Sequence, residues 1–174
     1  MKRGILSFAI LLLMASSGFA QQANFEDQNG SFRLGLFWPN LEYETPIHPK
    51  MTFHSETGFA FNVGHDGMDW VFQYGLFAKI GPRYYYNLEK RLEENKSIRD
   101  FSGNYFSFVS MAYLNEPFDN NPESNQFVFG PTWGLQRNLG KNWYFNFEVG
   151  PGISLSESKT KLVPIIGLDI GIKF

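Results

Sequence analysis

His54, Ser55 and Glu56 stand side by side, and a base, a nucleophile and an acid are the parts of an acyl-transfer centre. The stretch around them alternates: Met51, Phe53, Phe59, Phe61 and Val63 have one parity, Thr52, His54, Glu56 and Asn62 the other. Period two is a strand, and on a strand Ser55 points to the face opposite His54. A hydroxyl on the far side of a sheet cannot pass its proton to that imidazole, so the trio does not read as a hydrolase. Carboxylates also gather in two expected loops, with His65, Asp66 and Asp69 in one and Glu116, Asp119 and Glu123 in the other. Neither set has the ligand spacing of a recognised metal site. No glycine loop precedes a helix in the way a phosphate cradle requires. No cofactor and no metal are expected.

The remaining charged residues have a structural logic. Four segments place an apolar or aromatic residue two before a proline and others two and four after it: Phe37 to Tyr43 around Pro39, Ile80 to Tyr86 around Pro82, Phe129 to Leu135 around Pro131, and Leu162 to Leu168 around Pro164. The first three run into polar turns at 46–50, 90–100 and 140–142, with return strands at about 51–63, 102–114 and 143–155. On the opposite parity lie Asn40, Glu42 and Glu44; Arg83, Tyr85, Asn87 and Glu89; Thr132, Gln136 and Asn138; Tyr144, Asn146 and Glu148; and Asp169 and Lys173. One face is apolar and the other carries charges of both signs. The 102–114 strand is ambiguous, because Phe106 and Phe108 share a parity with Asn104 and Ser110.

The whole chain narrows the setting. Residues 1–20 have a basic start at Lys2 and Arg3, an apolar stretch, and small residues ending at Ala20, as a cleavable export signal does. One domain, 21–174, remains after it. The chain has no cysteine, so neither a lipid-anchored thiol nor a disulfide is available. Nothing after residue 20 approaches the ~20 apolar residues of a spanning helix. The mean hydropathy of -0.25 does not count against strands in a membrane, since a barrel shows lipid only alternate side chains. Aromatic residues make up 18% of the chain, enough to furnish belts at two membrane interfaces. A net charge of -2 with mixed signs speaks against a nucleic-acid partner. The last strand alternates to the end, with Ile166, Leu168, Ile170, Ile172 and Phe174 on one face and Gly167, Asp169, Gly171 and Lys173 on the other. The expectation is an all-β, antiparallel, up-and-down transmembrane barrel. A soluble periplasmic lipocalin-like binder is the alternative with the same alternation.

These features, and the ending Gly167 to Phe174 above all, resemble the small outer-membrane barrels of diderm (Gram-negative) bacteria built like the OmpA transmembrane domain and OmpX. The run Pro82 to Asn87 and the stretch Ser102 to Tyr105 resemble a block of uncharacterised outer-membrane β-barrel domain proteins. The resemblance implies an outer-membrane location and a monomer in contact with membrane lipid and lipopolysaccharide. It also implies that Leu168, Ile170, Ile172 and Phe174 form the signal read by the barrel assembly machinery. It implies no reaction.

Bacterial barrels have even strand numbers, whereas seven segments are clear here; about eight strands are expected. Either a short strand is hidden within 21–31, or the 31–45 segment is misread, or the barrel is unusual. With Phe174 on the periplasmic side, the loops near 64–70, 115–125 and 156–161 face outward and residue 31 comes out at the cell surface. Each proline lies some eight to ten residues before its turn, about 20–25 Å of height at ~3.3 Å per residue and ~40° tilt, so the prolines are expected near the outer rim. Inside a narrow barrel, Glu42, Glu44, His54, Glu56, Arg83, Glu89, Gln136, Asn146, Glu148, Asp169 and Lys173 meet and neutralise one another. That network closes the lumen; a gated, porin-like passage is the competing reading of the same residues. The expected role is structural or interactive at the envelope, not enzymatic, with a lipid-modifying barrel enzyme as the other class.

Overall fold

The computed structural model describes residues 28–65, 70–115, 125–156 and 159–174. The expected export signal and the loop residues Asp66, Asp69, Glu116, Asp119 and Glu123 lie outside them. Eight strands pair with their sequence neighbours, all antiparallel, and the last closes on the first. They are β1 (Ser31–Gly35), β2 (Asn40–His48), β3 (Met51–His65), β4 (Trp70–Tyr85), β5 (Gly103–Asn115), β6 (Gln126–Leu139), β7 (Trp143–Ser156) and β8 (Lys159–Lys173). Between β4 and β5 the chain forms a short helix, α1 (Leu88–Glu93), and a 3₁₀ turn at Arg99–Phe101.

The eighth strand comes from the 31–45 segment, which is a hairpin and not a single strand. Ser31 pairs with Glu44 and Gly35 with Asn40, leaving Leu36, Phe37, Trp38 and Pro39 as the turn. Those four residues are apolar, so the polar signature of a turn is missing from the sequence. The hairpin also moves residue 31 to the other end of the barrel. Arg33 pairs with Lys173, and Phe174 N donates to Phe32 O. The rim that carries Phe174 is termed the lower end below.

The prolines do not share a rim either. Pro82 pairs with Phe53 and lies three residues from the lower end of β4, while Pro39 is in the upper turn of the first hairpin. Phe108 pairs with Pro131, and Pro151 with Pro164. These residues form one cross-strand row that climbs the barrel as the strands tilt. The ladder opens where the row passes, with no pairing between Ile80 and Arg83 on the β5 side or between Phe129 and Trp133 on the β7 side. The lost amide donors are therefore accommodated by local breaks in pairing, not by water at an edge.

Burial follows the two parities. Phe32, Leu41, Phe53, Phe106, Phe108 and Ile166 are exposed on the outside, while Arg33, Glu42, Glu44, Arg83, Gln136 and Glu148 are at most 1% exposed inside. The ambiguous strand resolves the same way. Tyr105, Ser107, Val109 and Met111 turn in, and Phe106 and Phe108 turn out. Near the lower end the outer face is aromatic: Tyr86 packs on Phe106 with ring centroids 5.1 Å apart, and Trp133 Nε1 donates to Tyr86 Oη at 2.9 Å.

The 86–102 connection is more than a solvated charge run. Leu88 and Phe101 are fully buried and pack with Tyr85 and Tyr105 into an apolar plug across the lower mouth. Asp100 and Phe101 both have positive φ, 50° and 59°, a conformation a bulky residue adopts only where its surroundings fix it. Those surroundings are visible. Arg33 Nη2 and Gln136 Nε2 donate to Asp100 O at 3.3 and 3.1 Å, and Gln136 Nε2 also donates to Phe101 O at 3.2 Å. Lys173 pairs with the Asp100 carboxylate. Glu89, expected on the lumen face, is on α1 instead and pairs with Lys50 of the β2–β3 turn, whose hydrogen bond and charge hold its carboxyl below the usual range.

Candidate functional site

Glu44 and Glu42 organise the lower lumen. On Glu44, Oε2 accepts from Arg33 Nη1 at 2.8 Å and from Arg83 Nη1 at 3.0 Å, while Oε1 accepts from Thr52 Oγ1 at 2.5 Å and Tyr85 Oη at 2.7 Å. Glu42 Oε1 accepts from Tyr144 Oη at 2.5 Å, and Oε2 lies 3.2 Å from His54 Nε2 and 3.4 Å from Arg33 Nη1. The acceptor opposite His54 calls for a proton on Nε2. The guanidinium of Arg83 also lies over the Tyr105 ring, 4.5 Å from its centroid, where the negative face of the ring adds to the carboxylates. Tyr105 Oη donates to Asn146 Oδ1 at 2.9 Å.

Tyr105 reaches the centre because Gly134 lets it. A Cβ at Gly134 would overlap the Tyr105 ring. Similarly, a Cβ at Gly171 would run into Leu34 O and the Tyr144 ring at the β1–β8 join.

A second ionic layer lies above the first. Lys79 Nζ is 2.5 Å from Glu56 Oε2 and 3.3 Å from Glu148 Oε2, and Glu148 Oε1 accepts from Thr132 Oγ1 at 2.5 Å. Asn40 Nδ2 donates to Glu56 Oε1 at 3.1 Å and to Asp169 Oδ1 at 2.8 Å.

The expected members Glu42, His54, Glu56, Arg83, Gln136, Asn146, Glu148, Asp169 and Lys173 all face inward and are buried. The structure divides them, however: Lys173 belongs to the plug, and Glu56, Glu148 and Asp169 to the upper layer. Arg33 and Lys79 supply two further cations to these layers and were not among the expected residues. Continuing the inward parity of Arg83 back through Gly81 reaches Lys79, but the sequence there is apolar on both faces. Arg33 was hidden by the unrecognised hairpin.

The lumen is not filled to the top, as a narrow barrel led one to expect. Above Lys79 the inward residues change from ionic to apolar: Val109, Met111, Val128 and Ile165 form a cluster on which Phe77, Tyr113 and Val163 pack. Between this wall and the upper ionic layer is a cavity of about 530 Å³. Leu168, Ile170, Ile172 and Phe174 all lie on the outward parity of β8, with Leu168 and Phe174 exposed.

As period two requires, Ser55 is turned away from His54, and its Oγ donates to Tyr43 O at 3.2 Å. Among the described residues, no group of three or more His, Asp or Glu side chains is placed to hold a metal ion. No protein-family model, curated protein or solved structure matches this chain.

Proposed function

We propose that this protein is an integral outer-membrane β-barrel, built like the small OmpA and OmpX barrels, with a structural or interaction role at the cell envelope. The observation that carries the reading is inverted polarity: Arg33, Arg83, Glu42 and Glu44 at the centre, Phe32, Leu41, Phe106 and Phe108 outside. A water-soluble barrel gains its stability by the opposite arrangement. A closed sheet also meets the demand that hydrocarbon makes on the backbone, and the Trp133, Tyr86 and Trp143 band suits a lipid interface. On this reading the lower end faces the periplasm and the plug and ionic layers block passage. Membrane lipid, lipopolysaccharide and the barrel assembly machinery are its partners, the last through Leu168, Ile170, Ile172 and Phe174.

The test is fractionation of cells expressing the full chain. The protein should stay with the outer membrane through carbonate extraction and show heat-modifiable gel mobility. Recovery from the soluble periplasmic fraction would overturn the reading. The seal is tested separately by Arg83→Ala in planar bilayers. A closed trace with a less stable barrel supports a structural network, whereas a new conducting level would make the network a gate.

A further inference from the structure

The first hairpin is too short to reach the top of the wall. On one side, β8 pairs with β1 only from Gly171 to Lys173, with Leu36 N donating to Ile170 O as the last bond of the join. On the other, β2–β3 pairing ends at Asn40 and Gly58, with Phe59 N donating to Pro39 O. Ile170 turns its carbonyl to this edge, so Ile166 and Leu168, of the same parity, present theirs to it without a strand partner among the described residues. Pro164, also of that parity, has no N–H to present. The wall is therefore notched between β3 and β8. The upper cavity reaches through the notch, since its lining includes outward Phe59, Ile166 and Leu168 as well as inward Glu56, Lys79 and Ile165.

The two parts of the cavity suit two parts of one ligand. Its wall is apolar, from Phe77, Met111, Val128 and Ile165. Among the described lining residues, its floor holds three carboxylates, Glu56, Glu148 and Asp169, against one ammonium, that of Lys79. An anionic head group set there would face this crowd of carboxylates, whereas a protonated amine would add a cation to it. The volume lies within the ~300–1,000 Å³ of small-molecule sites. We infer that the upper chamber binds a single-chain amphiphile with an amine head group, the head on the carboxylate floor and the chain along the apolar wall and out through the notch. Entry from the side rests on the membrane reading above; the chamber and its charge do not.

Gly167 offers a way to fill the chamber. It lies in the lining, and a Cβ there comes no closer than 3.6 Å to Glu148 Cβ, so the backbone accepts a side chain at this position. The folded full-length barrel in non-ionic detergent is titrated with dodecylamine and with dodecanoate, and adducts are counted by native mass spectrometry. One saturable dodecylamine per barrel is expected, bound about tenfold or more tightly than dodecanoate. Gly167→Leu should abolish it. Asp169→Asn, which keeps an acceptor for Asn40, should narrow the preference for the amine. Heat-modifiable mobility reports that each variant is folded. Absence of an adduct, equal binding of dodecanoate, or binding untouched by Gly167→Leu would overturn the inference. Incorporation into phosphatidylcholine vesicles is scored on the same preparation. An adduct without incorporation removes the side entry and the membrane reading but keeps the chamber, and incorporation without an adduct does the reverse.

Discussion

Glu44 takes hydrogen bonds from two arginines, a threonine and a tyrosine in a place without exposure to solvent. Removing it leaves Arg33 and Arg83 as buried charges with less compensation, and breaking a buried pair in this way costs about 3–5 kcal/mol. Glu44→Ala is expected to lower the urea midpoint of the folded barrel accordingly, whereas Ser55→Ala, on the outer face, should leave it within about 0.5 kcal/mol. Gly134→Ala tests the space that Tyr105 occupies. The added methyl must displace the ring from Asn146, at a cost of about 1–3 kcal/mol in the same measurement. Residues of this kind were partly legible in the sequence. Glu42, Glu44, Arg83 and Asp169 stood out because each interrupts an apolar alternation that is regular on both sides. Lys79 did not, because the flanking Phe77, Ala78 and Ile80 are apolar on both parities, and the change from ionic to apolar lumen at that height erased the signal.

The β4–β5 connection is the element that sequence reading described least well. Its charges, Lys90 to Glu94 and Lys96 to Asp100, looked like a solvated turn, and most of them are solvated. The information lies in two apolar residues at its ends, Leu88 and Phe101, which carry no periodic pattern because α1 has only six residues. Their burial depends on contacts with Tyr85 and Tyr105 from two strands, which a local pattern does not contain. Phe101→Ala should therefore loosen the whole connection. A loss of about 3–5 kcal/mol is expected, and trypsin cleavage at Arg91, Lys96 and Arg99 should become fast while the strands stay resistant. Unchanged cleavage kinetics would show that the plug is held by Asp100 and its polar partners alone. The turn at 140–142 was legible from Gly140 and its polar neighbours, and the 46–50 turn was placed but drawn too long, since β2 runs on to His48, whereas Leu36 to Pro39 has no polar residue and was missed.

For the molecule as a whole, the distinction between inside and outside was the most legible property, since it needs only parity. It also bears the largest prediction. If the outer face meets lipid, Phe108→Arg, near the middle of β5, should cost about 2–4 kcal/mol of barrel stability in bilayers. In a soluble protein an arginine on that exposed face would cost little. Refolding into phosphatidylcholine vesicles over a urea series separates the two. The ring, meanwhile, is held shut by its weakest ladder, the few pairs between β1 and β8, which join the two most distant strands in the sequence. Every other ladder joins neighbours along the chain, so this one closes the longest loop and bears the largest loss of chain freedom. Without this ladder the sheet would have two bare margins, each able to take a guest strand as readily as the other. If the chain is handed to a membrane by an assembly factor, that open seam is where it can be gripped, and closing the seam is what releases it.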